Sequence, residues 1–231
     1  MSNSSQDAQT APKTIRVVQC WDDGVNDDIR VMEILRKYGA KGSFNLNAAS
    51  HGPQRQSGWK YKDVKEVYRI SRPELVSVYE GFLIANHSLA HPHLESIPIA
   101  DAVREIREGR DQLEQIFGYP VLGFAYPFGT HNEAVRNAVR EAGHLYARTT
   151  ENVADVFPPA DPMAFHSNCH FHSPDFWARF EHVKQSGGVF YFWGHSYEIM
   201  NEDDWQAFEK KIAILSADPA VVWTDLPELF A

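Results

Sequence analysis

Short apolar runs of strand length recur along the chain between segments in which apolar residues are spaced as on one face of a helix. The runs are Ile15–Trp21, Gly42–Leu46, Phe82–Ala85, Val121–Ala125, Leu145–Ala147, Met163–Phe165, Val189–Trp193 and Val221–Trp223. Between them, Asp27–Tyr38 carries Val31, Ile34, Leu35 and Tyr38 at helical spacing, and Ile99–Phe117 carries Val103, Ile106, Leu113, Ile116 and Phe117. A third helical segment is Asn132–Ala142, and Ser173 before Pro174 and Asn201 before an acidic turn read as helix starts. Strand–helix alternation repeated seven or eight times predicts parallel strands, closed as a barrel or opened as a doubly wound sheet. Either way, polar residues at the C-terminal ends of the strands line the mouth where chemistry occurs.

The chain has 231 residues, 43% of them hydrophobic, which suits one large domain over residues 15–231 behind a polar arm at residues 1–14. Residues 50–71 form the longest connection without a clear element, expected to be an insertion beside the site. A net charge of −9 without a long basic run argues against nucleic acid or an anionic membrane as partner. No apolar span reaches transmembrane length, and the first residues lack the apolar stretch of a secretory signal, so the expectation is a cytoplasmic protein. Cys20 and Cys169 make neither a disulfide framework nor a paired thiolate site and read as buried small residues. Oligomeric state is not legible.

Chemistry concentrates at strand ends. Asp22 and Asp23 stand side by side after the first apolar run, ahead of Gly24, where the bland reading is an ordinary turn with Asn26 capping the next helix. After the third run, His87 and His91 are four apart, so a helical turn would bring both imidazoles to one cation; Pro92 ends any such turn at His91. Two histidines and a carboxylate from another strand end make a three-ligand set that leaves a position open for water or substrate.

The motifs "WDDG" (21–24), "HSLAH" (87–91), "YPFG" (126–129) and "WGH" (193–195), in this order at four strand ends, resemble those of the polysaccharide deacetylase family, the NodB-homology carbohydrate esterases. The resemblance spans roughly residues 15 to 225 and implies a distorted (β/α) barrel with seven or eight parallel strands. It implies Asp23, His87 and His91 as ligands of one divalent metal, zinc first, with cobalt, nickel, manganese or iron able to replace it. It further implies Asp22 as the base, His195 as the acid that protonates the leaving group, and the Phe128 N–H as an oxyanion donor. The implied substrate is an acetylated carbohydrate, deacetylated at nitrogen ahead of oxygen.

The sequence departs from the family pattern where its third motif begins with an arginine that orients the catalytic aspartate; here Ala125 stands at that position. Arg148, at the end of the next strand, is the candidate replacement, against the reading of an ordinary surface arginine. No aspartate aligns well as a partner of His195, with Asp161 the nearest possibility. His166, His170 and His172 with Cys169 could suggest a second metal, although H-x-x-x-H-x-H lacks zinc-knuckle spacing, and His166 reads better as pocket lining. Tyr126 and Phe128 are expected pocket walls, and Asn47 is expected to reach the site; Trp205, Phe208, Ile212 and Leu215 read as core. Two rival functions stay open: hydrolysis of a small nitrogenous metabolite on the same scaffold, and glycan binding without catalysis.

Overall fold

The computed structural model describes residues 13–231, so all but the last two residues of the polar arm expected at 1–14 lie outside the described part. In chain order the elements are β1 (Ile15–Asp22), α1 (Asp28–Lys37), β2 (Ser43–Leu46), β3 (Gln56–Tyr61), β4 (Lys65–Arg69), α2 (Leu75–Val78) and β5 (Leu83–Asn86). They continue with α3 (Ile99–Phe117), β6 (Gly123–Ala125), α4 (Glu133–Glu141), β7 (Tyr146–Asn152), β8 (Phe165–Ser167) and β9 (Cys169–His170). The last are α5 (Phe176–Ser186), β10 (Gly188–Gly194), α6 (Glu202–Ala217) and β11 (Val221–Trp223).

Eight parallel strands form a nearly closed barrel in the order β8-β7-β6-β5-β2-β1-β10-β9, with β11 added against β1. Strand β1 is central: Ile15–Trp21 pair with β10 along one edge, and the other edge is divided between β11 at Ile15–Val17 and β2 at Cys20–Asp22. The end strands β8 and β9 are two halves of one segment, the first pairing with β7 and the second with β10. Buried Asn168 joins them. Its side chain accepts from Tyr191 N at 2.7 Å and donates to Val153 O and Ala154 O at 3.2 and 2.7 Å, so one amide satisfies main-chain groups on both sides of the seam.

The helices follow the apolar spacing read from the sequence. Val31, Ile34 and Leu35 of α1 are buried, as are Trp205, Phe208, Ile212 and Leu215 of α6. Asn132 and Asn201 accept main-chain bonds from Val135 and Asp204 as helix caps. Two expected caps are displaced. Asp27, not Asn26, precedes α1, and α5 begins after Asp175, because Ser173 is taken into a separate turn with Phe176 N bonded to its carbonyl.

The connection at residues 50–71 contains an antiparallel hairpin, β3–β4, whose turn residues Lys62 and Asp63 take left-handed φ of 49° and 58°. Trp59, Tyr61 and Val67 pack with Val25 and Tyr197 in a small cluster separate from the main core. Asn26 N donates to Tyr68 O and Ile70 N to Gly24 O, so the hairpin is tied to the turn that carries Asp23. Among the described residues no helix is long and apolar enough to cross a membrane.

Candidate active site

The mouth of the barrel holds a cavity of about 320 Å³ lined by Asp22, Asp23, His87, His91, Arg148 and His195, with Phe128, Trp193 and Tyr197 among its walls. Arg148 comes from within β7, ahead of its end, and each of the other polar groups from the C-terminal end of a strand or the turn after it. Outside the hairpin turn, every non-glycine residue with left-handed φ among those described is at this mouth: Asp23 (85°), Ser88 (64°), His91 (64°) and Phe128 (59°). Such conformations cost of order 1–3 kcal/mol each and persist where the surrounding structure holds them. Gly24 follows at φ 66°, and a Cβ there would lie 2.7 Å from the His51 ring, which explains the glycine after the paired acids.

Asp23, His87 and His91 bring one donor atom each to within 4.8 Å of one another. The histidines meet through a turn with left-handed residues at Ser88 and His91 rather than through the expected turn of helix. His87 Nδ1 donates to Ala125 O at 2.7 Å, which leaves Nε2 with a free lone pair, the tautomer a metal needs. Burial pushes the His87 pKa down to about 4, so the ring is neutral at working pH. Two neutral or near-neutral imidazoles, a carboxylate and a fixed tautomer fit a divalent cation. Arg69 Nη2 stands 3.7 Å from Asp23 Oδ1, brought there by the hairpin and stacked over Trp59.

Asp22 is buried beside this cluster, each oxygen held by a different donor. Asn45 Nδ2 donates to Oδ1 at 2.6 Å, and Arg148 Nη2 donates to Oδ2. Arg148 is 1% exposed and lies over the Trp193 ring at 4.5 Å. Burial alone would raise the Asp22 carboxyl; Arg148, then His87, His195 and Asn45, overcome it and hold the group well below the usual carboxylate range. Ala125 and Arg148 are register partners across β6 and β7, so the guanidinium comes from the strand position beside the one where the family motif has arginine.

His195 Nε2 faces both acids, 3.8 Å from Asp22 Oδ2 and 3.9 Å from Asp23 Oδ2. Its other nitrogen faces Glu198, whose Oε1 is 3.4 Å away. Burial would lower the His195 pKa, but Glu198, with Asp22 and Asp23, leaves it raised. Glu198 in turn stays well below the ordinary carboxylate range despite burial, because His170 at 2.8 Å and His195 both attend it.

Several residues singled out in the sequence lie elsewhere or do something else. Asp161 caps its own turn through Met163 N and pairs with Arg136 and Arg140, not with His195. Asn47 is buried with its amide donating to His87 O, so it supports the histidine turn instead of reaching the cavity. His166 bonds Thr149 Oγ1 at 2.6 Å and is not among the lining residues. Tyr126 lines the cavity, but its ring is buried and its hydroxyl donates to Met163 O, so it offers no stacking face. Phe128 is half exposed at the rim, stacked on His93 at 3.7 Å. Glu198, Asn45 and Arg69 were not singled out. The H-x-x-E spacing could have pointed to Glu198, and strand alternation from Asn47 to Asn45.

A family profile described as "Polysaccharide deacetylase" matches residues 9–147, more than half of the chain. No curated protein matches the sequence significantly. Among solved structures, the chain is similar to the family 4 carbohydrate esterase from Streptomyces lividans in complex with acetate, with 16% identity and TM-score 0.57 over 91% of this chain and 92% of that one. It is similar to the peptidoglycan deacetylase PdaC from Bacillus subtilis, with 18% identity and TM-score 0.56 over 94% of this chain and 90% of that one. The Streptococcus pyogenes deacetylase PplD in complex with acetate aligns at 20% identity and TM-score 0.48 over 58% of this chain and 55% of that one, so the chain spans about half its length. At these identities the likeness to the first two structures speaks for the barrel fold alone.

Proposed function

The chain belongs to the polysaccharide deacetylase family, and on that premise we propose that it is a metal-dependent hydrolase removing acetyl groups from a carbohydrate, N-acetyl ahead of O-acetyl. Residues 15–231 are read as one catalytic domain. The observation that carries the reading is that Asp22 and His195 flank the Asp23–His87–His91 cluster in a single cavity.

A divalent cation held by Asp23, His87 and His91, zinc ahead of cobalt, nickel, manganese or iron, would supply Lewis acidity to the acyl carbonyl and to water. Asp22, ionised and oriented by Asn45 and Arg148, takes the proton of the attacking water. The Phe128 N–H, in its left-handed turn at the rim, donates to the developing oxyanion. His195 gives its Nε2 proton to the departing nitrogen or oxygen, and Glu198 holds the ring for that transfer. The half-exposed ring of Phe128 stacks on the sugar face.

A second reading, amide hydrolysis of a small nitrogenous metabolite, is favoured by the size of the cavity. About 320 Å³ is at the low end for ligand pockets and accommodates one acylated unit. A screen for acetate release from chitin oligomers, peptidoglycan fragments, acetylated xylans and small N-acetyl sugars decides between them. Release from at least one, lost in Asp22→Asn and in His195→Ala, is the expected result. Glycan binding with no release from any substrate would mean a silent homologue, and turnover of small amides alone would favour the second reading.

A further inference from the structure

We propose a second cation site at His170, Glu198 and His195, on the opposite side of the His195 ring from Asp22 and Asp23, whose filling by zinc inhibits the enzyme. The three side chains bring donor atoms to within 4.8 Å of one another. Glu198 Oε2 lies 2.8 Å from His170 Nε2, and Oε1 lies 3.4 Å from His195 Nδ1. Two imidazoles and a carboxylate form a frequent zinc donor set, and donors bonded tetrahedrally at about 2.0–2.1 Å stand roughly 3.4 Å apart. To take the ion, His170 and Glu198 open slightly, and pairs standing as much as 4.8 Å apart close in around it.

A second observation points to a ligand. His195 Nδ1 is buried and makes no well-aligned hydrogen bond, its facing carboxylate oxygen, Glu198 Oε1, standing 3.4 Å away. A buried ring nitrogen in that state is short of either an acceptor or a cation. All three side chains keep some exposure, 22% for His170, 18% for Glu198 and 21% for His195, so an ion can enter from solvent. The imidazole content selects zinc over magnesium or calcium, which require oxygen ligands. The constellation also differs from the His166, His170, His172 and Cys169 grouping visible in the sequence. Of those four, His170 alone joins it: His166 is bonded to Thr149, Cys169 is buried, and His172 packs on Phe171.

The inhibition follows from the two faces of one ring and rests on the reading of His195 as the acid. Its Nε2 points at Asp22 and Asp23 while Nδ1 points at Glu198. A cation on Nδ1 draws the ring toward His170 and Glu198 and so carries Nε2 away from the place where it meets the leaving group.

Equilibrium dialysis against buffered zinc, with metal analysis of the protein, tests the site without reference to turnover. Wild type binds two equivalents, the second at least tenfold more weakly; His170→Gln and Glu198→Gln each lose the second and keep the first, and Asp23→Ala loses the first and keeps the second. His170→Asn, with its fold checked by circular dichroism, repeats the test should the glutamine variant be unstable. Acetate release by wild type falls at least tenfold over the zinc range that fills the second site, and His170→Gln does not show that fall. A single equivalent in wild type, or a second equivalent retained in both His170 variants and Glu198→Gln, overturns the proposal. A two-site pattern in a protein that releases no acetate would leave the cation site standing and remove the deacetylase reading instead.

Discussion

Arg148 and Asp22 meet as a buried ion pair, with side-chain exposures of 1% and 3%, and Arg148 reaches the carboxylate from the β7 position that pairs with Ala125. Register partners on neighbouring parallel strands present their side chains on the same face, so moving an arginine across one strand keeps it aimed at the same acid. The cation that orients Asp22 is thus retained while its place in the sequence changes.

Arg148→Met leaves Asp22 charged and buried without its cation. The expected cost is about 3–5 kcal/mol of stability, as for a buried pair broken on one side. Acetate release falls about 100-fold or more, the low end of what an oriented acid–base group contributes. Ala125→Arg combined with Arg148→Ala recovers much of both, because the new guanidinium starts one strand away on the same face. Urea unfolding and kcat/KM of the three proteins check this. An Arg148→Met enzyme as stable and active as wild type would contradict it.

Glu198→Gln removes the charge that raises His195. On the mechanism proposed above His195 must be protonated to act, so activity falls as pH rises through its pKa. With Glu198 neutral that pKa drops, and the alkaline limb of the kcat profile moves to lower pH while the acid limb stays in place. A pH–rate profile of the two proteins reads the shift directly; coincident alkaline limbs would argue against the role given to Glu198.

Asp28 tests the physics of burial away from the chemistry. It is fully buried at the start of α1, bonded by Val25 N, Tyr79 Oη and Ser196 Oγ, and burial, opposed by those bonds, pushes its pKa up to about 7. The unfolded chain releases this proton near pH 4 and the folded chain holds it to about pH 7. Its stability contribution is therefore complete below pH 4 and is lost as pH rises to 7, by about 4 kcal/mol at most. Asp28→Asn should flatten that slope in urea unfolding series at pH 4, 5.5 and 7. Parallel slopes for the two proteins would contradict the account.

Much of the fold and the grouping of Asp23, His87 and His91 were legible because each is written locally. Apolar runs marked most of the barrel strands and the long helices, although Met163–Phe165 is mostly the turn before β8 and β9 carries no such mark; Asp23, His87 and His91 sit in short contiguous motifs at strand ends. What was not legible depends on register and on insertions. The pairing of Ala125 with Arg148 follows from how β6 and β7 align, which spacing alone does not determine. Asn45 lies in β2 and Asn47 just past its end, so Asn45 reaches Asp22 while Asn47 supports the turn at His87. The β3–β4 hairpin was hidden because its turn, Lys62–Asp63, has no glycine, and so Arg69 beside Asp23 was hidden with it. Asp161 was a poor guide because two arginines of α4 hold it elsewhere.

The central claim is that adjacent acids divide the work, Asp23 holding the metal and Asp22 moving the proton. Metal content and acetate release, measured together on Asp22→Asn, Asp23→Ala and wild type equilibrated at low free zinc, test it most directly. One tightly bound equivalent is expected in wild type and in Asp22→Asn, with activity lost in the latter, and little metal or activity in Asp23→Ala; chelation abolishes wild-type turnover. Equal metal content in wild type and Asp23→Ala, or an active Asp22→Asn enzyme, would contradict it.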